Sequence, residues 1–177
     1  MTINIIRWVP FIFIVVLTLI VNNALMPEHK SGYQRLTLYS AVFYFFSVAV
    51  LCFTPMSFTG HTIRPLVAGW GTVNFVLFYS IDATFYLNIV MAIPLGIYYG
   101  LLIPRANLIK VFTIGLLASS SIEAGQYILN HSLMLNRSVD IDDVIANVLG
   151  VLIGYLVLRV IVFIFPNLVK KFQYFGR

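Results

Sequence analysis

The sequence predicts an all-α protein, a polytopic transmembrane helix bundle with five spans and one further hydrophobic segment. Three observations carry this. Hydrophobic residues make up 60% of the 177-residue chain and charged residues only 10%, against about 25% charged in an ordinary soluble domain. The apolar residues gather into runs of the roughly 20 residues that a helix needs to cross a bilayer. The basic residues stand singly between those runs. A net charge of +5 spread in this way lacks the stripe with interleaved aromatics that a nucleic-acid surface needs, so no nucleic-acid partner is expected.

Taken in order, the long apolar stretches cover residues 8–26, 36–54, 85–103, 108–129 and 144–165, in a single transmembrane domain over 1–177. The first follows Arg7 as a signal peptide would. The residues after it, Asn22-Asn23-Ala24-Leu25-Met26, hold no small-residue cleavage pattern, so it is expected to stay. Pro94 inside the third stretch removes a backbone donor. It predicts a kink whose freed groups neighbouring helices must satisfy, which places that helix inside the bundle. The segment 65–81 is uncharged but interrupted by Gly69 and Gly71. It has three alternatives: lying in the interface, re-entering from one side, or spanning as a sixth helix.

With five spans, Arg7, Arg64 and Arg137 fall on one side. Lys30, Arg35, Arg105, Lys110, Lys170, Lys171 and Arg177 fall on the other. A sixth span moves Arg7 and Arg64 to the side of Lys170 and shifts Lys30 and Arg35 away from it, and the bias is equally strong. Both arrangements place the C-terminus in the cytoplasm and the 130–142 connection outside.

The polar residues inside the apolar runs are few and patterned. Ser119, Glu123, Gln126 and Asn130 follow at i, i+4, i+7 and i+11, on one helical face. Asp140, Asp143, Asn147, Gly150 and Gly154 follow at steps of three and four, forming a second face that a short connection brings opposite the first. Glu123 lies about 10 Å of helical rise below Asn130. An ionisable group at that depth is costly and calls for a partner, for which Arg137 is the natural candidate, with Asp140 or Asp143 competing. Simpler readings stand beside these. Asp140-x-x-Asp143 has the form of a helix cap with an acidic first turn. Gly150-x-x-x-Gly154 is a close-packing pattern of membrane helices, and Ser119-Ser120-Ser121 suits small-residue packing better than a nucleophile. His29, His61 and His131 are isolated, and the acids of the fifth helix start read as caps, so neither metal nor cofactor is expected. Cys52 is the sole cysteine, which excludes an intramolecular disulfide.

Glu123-x-x-Gln126 followed by Arg137-x-x-Asp140-x-x-Asp143-x-x-x-Asn147-x-x-Gly150-x-x-x-Gly154 resembles the signature of the VanZ-like family of membrane proteins. Asn88 followed by Ile93-Pro94-Leu95-Gly96, and Thr54-Pro55 after the second stretch, are similar to further family features. Asn74 falls in what resembles a family loop motif, in which Leu77 replaces the usual proline. The resemblance implies a bacterial multi-pass protein of the cytoplasmic membrane, in a family some of whose members are associated with resistance to teicoplanin and related lipoglycopeptides. It supplies no mechanism.

The residues and the resemblance together point to Asn88, Glu123, Gln126, Arg137, Asp140, Asp143 and Asn147 as ligand-binding candidates. The expected partners are membrane lipids and a lipid-linked cell-wall component or a glycopeptide. Two other functions fit the same residues. One is an intramembrane enzyme in which Glu123 or Asp143 is the acid or base and Arg137 holds a headgroup phosphate. The other is a packing or partner protein whose polar residues only bind helices together. A transporter fits less well, for there is no internal repeat and no second intramembrane charge in the first three helices.

Overall fold

The computed structural model describes residues 5–25, 31–58, 62–79, 81–103 and 105–174. His29, Lys30, His61 and Arg177 lie outside them. The elements run α1 (Val9–Leu25), α2 (Gly32–Phe53), β1 (Met56–Phe58), β2 (Ile63–Pro65), β3 (Thr72–Asn74), α3 (Ala83–Leu102), α4 (Leu108–Leu133), β4 (Ser138–Asp140), α5 (Ile141–Ile164) and α6 (Pro166–Phe172). Among the described residues four helices, α2 to α5, are long and apolar enough to cross a membrane. The apolar helix α1, at 17 residues, is at the short end of the spanning range.

Capping, not hydropathy, sets where these helices begin. Ser31 opens α2 with a capping box closed by Gln34, so the helix starts at Gly32, four residues ahead of the apolar run. Asp82, Asn107 and Asp140 each accept a backbone N–H of the following first turn. At the other end α4 runs on through the polar turn His131-Ser132 and stops where Met134 adopts a left-handed conformation. Pro166 ends α5 and opens α6.

The tightest packing joins α3 to α5, and glycines permit it from both sides. A Cβ at Gly96 would strike the Val151 carbonyl, and one at Gly154 would strike the Ile93 carbonyl. Gly150 lies just as close to Ile89 and Ala92. The Gly150-x-x-x-Gly154 pattern is therefore a packing device. Ala92, Ala106, Val111, Val151 and Tyr155 form the core beside this contact. α3 is one helix through Pro94. Beside the proline the Met91 carbonyl accepts the Tyr44 hydroxyl of α2 at 2.9 Å.

Residues 65–81 form no helix among those described, so a helical sixth span is not what the chain adopts. The segment is extended. β3 pairs in parallel with β4, setting Thr72 against Ser138 and Asn74 against Asp140, and Gly69 bridges Leu135. β1 and β2 form an antiparallel pair. The physical reason lies at the two glycines. Gly71 has φ +70° and presses against the Arg137 carbonyl and the Asn130 amide, where a Cβ has no room. Backbone so placed needs partners from the rest of the protein, and the 135–140 segment supplies them.

Two ends of the bundle result. Arg7, only 4% exposed, donates to the carbonyls of Leu66, Val67 and Leu135. It therefore shares the loop end of the bundle with β1 to β4. At the opposite, tail end, Gln34 donates to the Gln173 carbonyl, Thr37 to the Phe172 carbonyl, and the Tyr174 amide to Leu101.

Candidate functional site

The stripe on α4 faces inward: Ser119, Glu123, Gln126 and Asn130 are all buried. Fully buried Asn130 acts as a peptide mimic. Its Nδ2 donates to the Arg137 carbonyl and its Oδ1 accepts the Arg137 amide, both at 2.8 Å. That clamp turns the connection back over the bundle and delivers β4 to the start of α5.

Arg137 does not pair with Glu123. Its guanidinium donates to the carbonyls of Leu51, Thr54 and Met56, at the C-terminal end of α2. The cause is local: the last carbonyls of a helix have no donors of their own, and a cation there also meets the negative end of the helix dipole. Burial lowers the guanidinium pKa from its usual value by desolvating the charged form, but an arginine remains a cation.

The carboxylates are held by neutral donors instead. Glu123, 7% exposed, accepts the Asp140 amide at 3.0 Å. Asp140 caps α5 through the Asp142 amide at 2.9 Å, and both its oxygens accept the Asn74 Nδ2 at 3.1 Å. Asp142, 3% exposed, accepts the Phe78 amide at 2.8 Å, and its other oxygen is buried without a donor. The Asn88 side chain lies beside Asp143 and favours its charged form. Capping and membership of the cluster are thus compatible in Asp140.

One turn further into the bundle, Asn147 Nδ2 donates to Ser119 Oγ at 2.9 Å. Gln126 Nε2 donates to the Cys52 carbonyl at 3.2 Å. The remaining amide oxygens, Asn147 Oδ1 and Gln126 Oε1, are buried and receive no hydrogen bond. Among the described residues no three His, Cys, Asp or Glu side chains converge as a metal site. The His131 ring packs at a tilt against those of Tyr127 and Trp70.

The fold therefore gathers Asn88, Glu123, Asp140, Asp143 and Asn147 along the facing sides of α3, α4 and α5. It turns Gln126 and Arg137 toward the end of α2. Sequence reasoning left Asp142 outside the candidate site and missed the role of Asn74. Steps of three and four put Asp140, Asp143 and Asn147 on one face and leave Asp142 on another, which the 74–79 loop covers. Asn74 carried a signal in the loop motif, but only its strand register against Asp140 shows what it holds.

No curated protein and no solved structure matches the chain. The VanZ/LLP1 family model matches residues 41–164, a stretch that runs from within α2 to the last residue of α5 and includes every residue of the cluster. The chain belongs to the VanZ/LLP1 family.

Proposed function

We propose that this VanZ-like protein is a bacterial cell-envelope protein whose loop-end cluster faces outward and binds the polar head of an envelope or lipid-linked component, and thereby alters susceptibility to teicoplanin and related lipoglycopeptides. One observation carries the reading. Four carboxylates, those of Glu123, Asp140, Asp142 and Asp143, collect at the loop end; amide groups hold the first three, Asn88 lies beside the fourth, and among the described residues no cationic side chain pairs with any of them. Charge without a counter-charge is expensive at membrane depth, and packing alone would be served better by neutral residues.

The outward orientation is supported by charge. Among the described residues Arg35, Arg105, Lys110, Lys170 and Lys171 belong to the tail end, against Arg7, Arg64 and Arg137 at the loop end, so the positive-inside bias puts the tail in the cytoplasm. The reading as an enzyme is less well served, since Arg137 is engaged with carbonyls and is not free to hold a phosphate.

The test is Glu123→Gln. Glutamine keeps an oxygen that accepts the Asp140 amide and removes only the charge and the titratable proton. The variant is expected in the membrane at near-normal abundance, with its effect on teicoplanin susceptibility lost. A Glu123→Gln protein as active as the wild type would establish the polar residues as packing elements.

A further inference from the structure

Just inside the carboxylate layer lies a partly open cavity of about 220 Å³ between α2, α3, α4 and α5. Its walls are apolar, with Val48, Ala49, Leu95 and Ala118 among them, except where Ser119 and Asn147 meet. Every lining residue belongs to a helix long enough to cross a membrane, which puts the cavity within the spanning part of the bundle. For comparison, an apolar cavity of about 150 Å³ in a soluble protein takes up benzene. Along α2 it reaches from Tyr44 to Phe53, about 13 Å of helical rise, the shape of a chain and not of a disc.

The polar wall is neutral, but it leads toward acidic groups that lie outside the lining. Asn147 is 5% exposed and its Oδ1 lacks a donor. Toward the loop end, Glu123 lies one turn beyond Ser119 and Asp143 one turn beyond Asn147. All three groups accept hydrogen bonds. The nearby arginines, Arg7 and Arg137, have their guanidinium groups on backbone carbonyls. A head with N–H donors and positive charge is complementary to this wall; a phosphate or carboxylate head meets like charge.

Resting on the reading of the carboxylate layer as a binding site, we propose that the cavity is the chain-binding half of that site, taking the single apolar chain of an amphiphile whose ammonium head is received by Asn147, Glu123 and Asp143. Access is lateral, from the bilayer, past α2, which packs on α3 and α4 much more lightly than α3 and α5 pack on each other.

The experiment uses the full chain in phosphatidylcholine nanodiscs and three diazirine-bearing probes of one chain length, a fatty amine, a fatty alcohol and a fatty acid. The amine should crosslink to residues 44–53 and 115–122 roughly tenfold more than the acid, as like charge disfavours the carboxylate. Unlabelled hexadecylamine should compete, and Ala118→Phe, which fills the cavity from α4, should remove the crosslinks. Equal labelling by amine and acid, or labelling of α1 and the lipid-facing side of α5 that excess amine does not reduce, overturns the proposal. Susceptibility assays separate it from the broader reading. If Ala118→Phe keeps full activity while Glu123→Gln loses it, the chain site falls and the carboxylate site stands. If neither variant loses activity, both fall.

Discussion

Replacing Arg137 with methionine removes a guanidinium that serves three carbonyls, those of Leu51, Thr54 and Met56, where α2 ends. A hydrogen bond to a charged group contributes about 1.5–3 kcal/mol, and a buried carbonyl left without a donor costs about 1–3 kcal/mol. The favourable position at the helix C-terminus adds about 0.3–1 kcal/mol. These terms overlap and the methionine saves the desolvation of a cation, so a net loss of about 3–5 kcal/mol is expected, as when one side of a buried charged contact is removed. Arg137→Lys should fall between the two, because an ammonium keeps the charge and three donors but is more strongly hydrated than a guanidinium and loses more on burial. The assay is membrane abundance together with the fraction of detergent-purified protein that stays monodisperse after a temperature series. A methionine variant as heat-stable as wild type but without effect on susceptibility would refute the argument, for Arg137 would then serve the ligand and not the end of α2.

Three further outcomes follow from the same geometry. Gly154→Val puts a branched side chain against the Ile93 carbonyl and should abolish accumulation in the membrane, while Gly32→Ala, where nothing lies within 4 Å, should be silent by immunoblot. Asp140→Asn keeps an acceptor for the Asp142 amide and should keep the wild-type unfolding temperature, whereas Asp140→Ala should cost about 0.5–2 kcal/mol through the lost cap, read as a lower unfolding temperature. In a Cys52→Ala background, an impermeant thiol reagent applied to intact cells should label Ser132→Cys and spare Lys171→Cys; the reverse pattern would turn the loop end toward the cytoplasm.

The helices were legible because hydropathy and 3.6-residue periodicity act over neighbouring residues. The apolar runs locate α1 to α5, and the step of three and four from Ser119 to Asn130 marks the buried face of α4. The glycine spacing in α5 likewise announces a close contact. Which polar groups meet is another matter. The sequence offers Glu123 and Arg137 as opposite charges in need of partners. Whether they pair depends on where the Asn130 clamp sends the returning chain and on whether the end of α2 has carbonyls to satisfy. The extended path of residues 65–81 was equally hidden, since its backbone is satisfied by β4 and by Asp142, more than sixty residues away. The amino-acid sequence by itself determined the membrane class, the helices and the inward faces of α4 and α5. Only the tertiary structure decided that the carboxylates are held by amides and the arginines by carbonyls, because a hydrogen bond between distant segments depends on register and backbone direction, which no local pattern encodes.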